Sequence, residues 1–578
     1  MFRARFAAGP FVPGSFVPGS FVLAAIGLPA MLVVGCADTT QTTGADTPAA
    51  PSVTADITVT GARLAAPAGI APPPPPPAPA PAMALVGSQV MSPMLPIAPS
   101  GGDRFTAVKQ NPFQRVAEAP VSTFSLDVDT ASYAFVRASL DRGVLPPRDA
   151  VRTEEMVNYF PYDYAAAGNA AEPFRTDLAV FPSPWTSGRL IVRVGVRGYD
   201  LTRTNRPRAN LVFLIDTSGS MMAPNKLPLV KQSLRLLLDG LDENDRVAIV
   251  AYAGSAGTVL EPTPASDRGH ILDALDRLEA GGSTAGAEGI RQAYALAERD
   301  FDPRGVNRVI LATDGDFNVG ITNQDELKGY IERERTKGVY LSILGFGMGN
   351  YNDALMQTLS QNGNGVAAYI DTLSEARKTL VTEASASLFP IARDVKVQVE
   401  FNPAAVAEYR LIGYETRMLA REDFNNDAVD AGDVGAGRTV TALYEVVPAG
   451  GPRTTDPLRY GKRAASRRAT ARPTELGFVK IRYKLPRASS SRLIARPIPA
   501  RGIAARFEDA PQEARFATAV AGFAELLRGG VYAGRFGFGD VARIAAGAQG
   551  RDPFGYRAEF LGLVRKAERA QAMPPPVR

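Results

Sequence analysis

At 578 residues the chain is too long for one hydrophobic core, so several domains are expected. Its 64 basic and 59 acidic residues leave a formal charge of +5 with no long single-sign block, which excludes a nucleic-acid-binding composition. The single cysteine, Cys36, excludes an intramolecular disulfide and a cysteine-based metal site.

The N-terminus has the order of a targeting segment. Arg3 and Arg5 precede a tandem FVPGS-FVPGS-FV, and fifteen apolar or small residues, Phe21 to Gly35, lead to Cys36. That run is short for a spanning helix and contains Pro29, so it fits the apolar part of a signal segment. Its close, VVGC, resembles the lipobox of bacterial lipoproteins. The resemblance implies that residues 1–36 are a signal peptide and that Cys36 is the lipidated first residue of the mature protein. The alternative is a lone thiol ending an ordinary signal peptide. By the same family's rule, Ala37 in place of aspartate favours the outer over the inner membrane of a bacterial envelope.

Residues 37–104 are rich in Thr, Ala and Pro, with a six-proline run from Pro72 to Pro77. Such a segment buries too little apolar surface to offset its ordering entropy and is expected to be a disordered, partly polyproline tether. ITVTGARL, Ile57 to Leu64, interrupts it with strand-like alternation that has no evident purpose.

Folding is expected from residue 105. TASYAFVRASLDRG, with Tyr133, Val136 and Leu140 at helical spacing, and DAVRTEEMVNYF are helices. RTDLAVFPS and RLIVRVGVRGYDL are strands flanking Trp185, so residues 105–205 form a small α+β unit.

Residues 206–386 then alternate. Strands 210–216, 245–253, 307–315, 338–347 and GVAAYIDT are separated by helices 226–240, 267–279, 286–300, 324–337, 352–361 and 373–384, with a short strand GTVLEP after the second. Strands apolar throughout, between amphipathic helices, indicate a doubly wound, mostly parallel α/β sheet covered on both faces. In residues 387–500, RDVKVQVEFNP, TVTALYEVVP and ELGFVKIRYKLP alternate at period two as in an antiparallel β-sandwich. A loop at 452–473 carries seven basic residues against Asp456 alone. Residues 501–578 return to helical periodicity.

Ligands of such an α/β sheet bind beyond the carboxyl ends of its strands. There the stretch LVFLIDTSGSMMAPNK brings Asp216, Ser218 and Ser220 directly after an apolar strand, and LATDGDFNVG brings Asp314 after another. AGGSTAGAEGI sets Thr284 in a Gly-rich turn before a helix, 68 residues after Asp216 and 30 before Asp314. Asp and Ser also cap helices, but capping does not explain three segments meeting at one sheet edge.

D-x-S-x-S with the later threonine and aspartate resembles the metal-ion-dependent adhesion site of von Willebrand factor type A (VWA) domains. STFSLDVDTASYAFVR and the stretch EYRLIGYETRMLAREDFNNDAVDAGDVGAGRTVTALYEVVP resemble the flanks of a bacterial lipoprotein family built around such a domain. The resemblance implies a Rossmann-like VWA fold and a metal held by Asp216, Ser218, Ser220, Thr284 and Asp314, the aspartates acting through water. Independently of the family, two carboxylates and three hydroxyls are hard donors suited to Mg²⁺, or to Mn²⁺ or Ca²⁺, with a seat left for a partner's acidic side chain. Asp316 is a loop carboxylate that would tune the site from behind. Asp216 is expected at an exposed strand end, where its replacement by Ala costs about 1 kcal/mol.

Catalysis has little support. His270 is the sole histidine and sits at a helix start, so no Ser-His-Asp set and no His-bound zinc is expected. No phosphate loop occurs, and GFGMGN lacks a third glycine at Asn350, so it is a tight turn at the rim of the metal face and no nucleotide is expected. DFNNDAVDAGDVGAG opens like a calcium loop but has Ala428 and Val434 where glycine and glutamate belong, and is an acidic loop. The expectation is a lipid-anchored envelope protein that binds a protein through its metal. The alternatives are an envelope hydrolase with the ion as Lewis acid, and a structural lipoprotein stabilised by the metal.

Overall fold

The computed structural model describes residues 102–126, 129–202, 206–283, 286–315, 324–456 and 473–573. Cys36, the tether with ITVTGARL, Thr284, Asp316 and most of the basic loop lie outside the described residues.

The N-terminal region contains strands β1 (Gln114–Arg115) and β2 (Val121–Ser125), helices α1 (Ala131–Asp141) and α2 (Thr153–Asn158), and strands β3 (Phe174–Pro182) and β4 (Leu190–Gly198). The helical spacing of Tyr133, Val136 and Leu140 marks only one face of α1, yet Ala131, Ala134 and Phe135 are buried as well. A helix apolar on all sides is packed on all sides.

The α/β region follows the expected alternation: β5 (Ala209–Asp216), α3 (Leu227–Leu238), β6 (Arg246–Tyr252), β7 (Ala256–Pro264), α4 (Arg268–Asp276), α5 (Gly286–Arg299), β8 (Val306–Thr313), α6 (Gln324–Lys337), β9 (Val339–Phe346), α7 (Asp353–Asn362), β10 (Ala367–Ile370), α8 (Leu373–Arg377) and α9 (Ala384–Leu388). The last helix expected is broken, because a wide turn at Lys378–Thr382 separates α8 from α9. The sheet order is β10-β9-β8-β5-β6-β7, parallel except for β7. Every residue of β5 and β8 is buried, as both faces are covered by helices. The chain moves from β5 to β6 on one side and later to β8 on the other. The ends of β5 and β8 therefore flank the point where strand order reverses.

The remainder contains β11 (Pro390–Phe401), β12 (Val406–Ile412), β13 (Val434–Gly435), β14 (Thr439–Pro448), β15 (Glu475–Lys484), β16 (Ser491–Pro499) and helices α10 (Gln512–Leu527), α11 (Phe538–Gly547) and α12 (Tyr556–Ala572). The sandwich is present, but it is not confined to residues 387–500. One sheet runs β1-β12-β14-β4-β3, and the other runs β13-β11-β15-β16 with β2 also paired to β11. Val192, Val194 and Val196 of β4 share a core with Val397 and Val399 of β11 and Ile481 of β15. The N-terminal strands β1–β4 are thus four of the ten strands of the sandwich rather than part of a separate unit.

The helical end is equally dependent on the N-terminal region. Tyr133 of α1 and Phe160 after α2 lie in one cluster with Phe516, Phe523 and Phe560 of α10 and α12. Arg137 of α1 joins three parts at once, pairing with Asp371, with Glu375 of α8 and with Glu559 of α12. The α/β region is consequently an insertion between two halves of one surrounding body, and α1 is the wedge between them.

Candidate metal centre

Asp216 is the last residue of β5 and is fully buried. This corrects the expectation of an exposed strand end, and the reason is the loop pattern around it. Its Oδ1 accepts the Ser218 amide at 2.9 Å, and its Oδ2 accepts the hydroxyls of Tyr252 and Thr313, each at 3.2 Å. All three donors are neutral. Burial therefore raises the Asp216 carboxyl above the usual range, the Ser218 hydrogen bonds oppose this, and the negative charge of Asp314 adds to it.

Ser218 is buried and Ser220 is exposed, and their hydroxyls lie 3.1 Å apart. Asp314 follows β8 directly and is also buried. Hydrogen bonds from Gly219 N to Gly282 O (3.1 Å) and from Gly281 N to Thr217 O (2.8 Å) pin the Gly-rich turn against the first loop. Four of the six residues singled out from the sequence for the metal face, Asp216, Ser218, Ser220 and Asp314, are described at these strand ends. Thr284 and Asp316 lie outside the described residues.

One functional side chain was missed. Lys226, the residue preceding α3, donates from Nζ to Asp314 Oδ2 at 2.7 Å, and its side chain is 11% exposed. It ends the very stretch that carries Asp216, but no periodicity tells a side chain to fold back across ten residues. Gly347 makes room for it: a Cβ there would lie 2.5 Å from Lys226 Cε. Gly347 and Gly349 both have positive φ, so GFGMGN is a tight turn at this rim. Gly315, φ +102°, lies so close beneath that turn that a Cβ would meet Asn350 O at 2.4 Å.

The donor set suits a hard cation. It offers carboxylates and hydroxyls without sulfur or imidazole, and among the described residues no group of three or more His, Cys, Asp or Glu that could hold a metal occurs, here or elsewhere. The buried Asp216 carboxylate, with neutral donors on both oxygens, calls for positive charge nearby. Exposed Ser220 and Met222, the latter 69% exposed, open the site to solvent on the outer side.

The other motifs have ordinary surroundings. His270 is exposed on α4, its amide bonded to Asp267. In the calcium-like loop, Asn425 accepts from Arg482, Asp427 accepts the Ser491 amide, and the carbonyls of Asp423 and Asn426 accept from Lys396.

Three family models and several known proteins resemble parts of the chain. Residues 210–383 match the family model described as "von Willebrand factor type A domain", residues 99–193 one described as "von Willebrand factor", and residues 386–570 one described as "Uncharacterized protein YfbK, C-terminal". The chain is 44% identical over 482 residues to "Uncharacterized protein YfbK" of Escherichia coli (strain K12), covering 82% of each. It is 29% identical over 197 residues to "Uncharacterized protein sll0103" of Synechocystis sp., covering 34% of this chain and 45% of that one. Among solved structures, "von Willebrand factor type A from Catenulispora acidiphila" aligns with a TM-score of 0.40 at 15% identity, covering 68% of this chain and 89% of that one.

Proposed function

The chain belongs to the YfbK family of bacterial VWA-containing proteins, and from that premise we propose that it binds a protein partner through a divalent cation held by Asp216, Ser218, Ser220, Thr284 and Asp314. A VWA domain by itself suggests a protein-interaction or adhesion role. The finer reading rests on one observation: Asp216 and Asp314 end adjacent strands at the sheet's switch point, beside paired serine hydroxyls.

When bound, Mg²⁺ or a similar ion would supply an electrophilic seat for a partner's acidic side chain. The residues of this chain do the rest. Tyr252, Thr313 and the Ser218 amide fix the Asp216 carboxylate in orientation, and Ser220 reaches the solvent side where a partner would approach. This is a binding role and not a catalytic one.

Titrating Mg²⁺ into the full-length protein by calorimetry tests the proposal. Saturable heat that EDTA abolishes is expected, together with partners from the envelope that are retained with Mg²⁺ and released by chelator. No heat with Mg²⁺, Mn²⁺ or Ca²⁺ would sink it. We further propose anchoring in the bacterial envelope through lipidated Cys36, with the outer membrane favoured. No helix among the described residues is long and apolar enough to cross a membrane. Cys36→Ala should move the protein into a soluble envelope fraction, and its full retention with membranes would exclude the anchor.

A further inference from the structure

We infer that Lys226 is a built-in counter-cation of the metal site, occupying Asp314 when no metal is bound and weakening the hold on metal when one arrives. The inference rests on the metal-site reading above and names how that site is regulated.

Three observations carry it. The Lys226 ammonium is 2.7 Å from Asp314 Oδ2, within a nearly closed environment where the lysine side chain is 11% exposed and the aspartate side chain is not exposed at all. Its stem has a dedicated passage, since a Cβ at Gly347 would lie 2.5 Å from Cε, 2.8 Å from Cγ and 3.1 Å from Cδ. The second carboxylate, Asp216, has neutral donors in all three of its hydrogen bonds, so the lysine serves a two-carboxylate pair through one member.

Charge then decides the behaviour. Two buried carboxylates and one ammonium leave a single negative charge, which is easier to bury than two. A dication entering this group meets a like charge only a few ångströms away, in surroundings that screen poorly. If the ion takes Asp314 directly, the ammonium must leave that oxygen. If the ion meets Asp314 through water, the ammonium stays and repels it. Either path weakens metal binding. In the second path the loaded site carries a net positive charge, which an incoming acidic group offsets.

Calorimetric titration of MgCl₂ into the full-length protein tests this with three variants. Lys226→Met removes the charge at nearly constant shape and should tighten Mg²⁺ binding about tenfold or more, while Lys226→Arg keeps the charge and should stay within about threefold of the native protein. Lys226→Gln, which can still hydrogen-bond Asp314, should tighten binding in the same sense and covers the case in which the methionine variant does not fold. Thermal melts give a second readout: in EDTA the neutral variants should melt below the native protein, and Mg²⁺ should raise their melting temperature more than it raises the native one. Native protein that binds Mg²⁺ while both neutral variants bind it equally or more weakly would overturn the role of Lys226 and leave the metal site standing. No binding by any of the four proteins would instead overturn the metal site itself, and this inference with it.

Discussion

Two groups of neighbouring carboxylates in this molecule meet the same electrostatic problem differently. At the strand ends, Asp216 and Asp314 face hydroxyls, a backbone amide and the Lys226 ammonium, and the neighbouring Ser220 is open to solvent. Near the sandwich margin, Asp394 of β11 meets Asp430 and Asp433 of the loop before β13. There Lys484 pairs with Asp394 at 2.8 Å and Arg335 pairs with Asp430, but Asp433 Oδ1 accepts only a long 3.4 Å hydrogen bond from the Asp394 amide, and its Oδ2 is buried without a hydrogen bond. Burial, reinforced by Asp394 and Asp430, pushes the Asp433 carboxyl up to about 8. Partial desolvation and the neighbouring Asp394 raise Asp430, whose side chain is still 45% exposed, to about 6 against the pull of Arg335. Asp216 has hydroxyl and amide donors on its oxygens and Asp314 has the Lys226 ammonium. Asp433 stands beside two other carboxylates with one oxygen that accepts no hydrogen bond, and it holds its proton more readily.

The largest effect that would break this contrast concerns Asp216. Asp216→Asn removes the charge but keeps an oxygen to accept the Ser218 amide, while its NH2 can donate to the hydroxyls of Tyr252 and Thr313, so Mg²⁺ affinity should fall by about a hundredfold or more with a smaller loss of melting temperature than in Asp216→Ala. Asp216→Ala should lose binding as well and also cost about 2–4 kcal/mol, because three buried donors lose their acceptor. Unchanged Mg²⁺ heats in folded Asp216→Asn protein would mean that the strand-end group is no more a metal site than the loop group.

The second effect tests the proton in the loop group. The Asp433 carboxyl holds its proton more tightly in the fold than in the unfolded chain, where it titrates near pH 4. Its stabilising contribution is thus complete below about pH 4 and is lost as the pH rises through about 8. Asp433→Asn cannot ionise and should be more stable than the native protein by about 2 kcal/mol at pH 8.5, with little difference at pH 5. Urea midpoints at the two pH values measure this. An equal offset at both would show that ionisation of Asp433 is not the cause. Arg393, Arg308 and Tyr340 also face this carboxyl, and Asp430, raised to about 6, ionises between those pH values in both proteins.

The smallest effect sharpens the comparison at the solvent side. Ser220→Ala removes an exposed hydroxyl bonded to Ser218, so stability should change by less than about 0.5 kcal/mol. Mg²⁺ binding should nevertheless weaken about threefold to tenfold, as a neutral ligand is lost. A stability loss with unaltered binding would assign Ser220 to the loop and not to a ligand set.

The sequence by itself determined the elements of the α/β region and set Asp216 and Asp314 at the carboxyl ends of two of its strands. Apolar runs such as LVFLID and VILAT can only be central strands, and a carboxylate following such a run must emerge at the strand's carboxyl end. Local rules suffice there because each strand, its helix and its loop residues are neighbours in the chain. They do not suffice for the sandwich, in which Leu190 of β4 pairs with Val446 of β14 and Val121 of β2 pairs with Glu400 of β11. Alternation at period two says that a strand has a buried face but not which strand, hundreds of residues away, lies beside it, so the two flanks looked like separate units. Strands β12 and β16 and helix α11 were passed over for a related reason: Val406–Ile412 carries a buried Glu408 and Arg410 whose partners lie on other elements, Thr454, Thr455, Glu445 and Glu525. Lys226 follows the same principle on a smaller scale. Its position next to α3 is local, but its bond to Asp314 across 88 residues and its passage past Gly347 exist only once β5, β8 and β9 lie side by side.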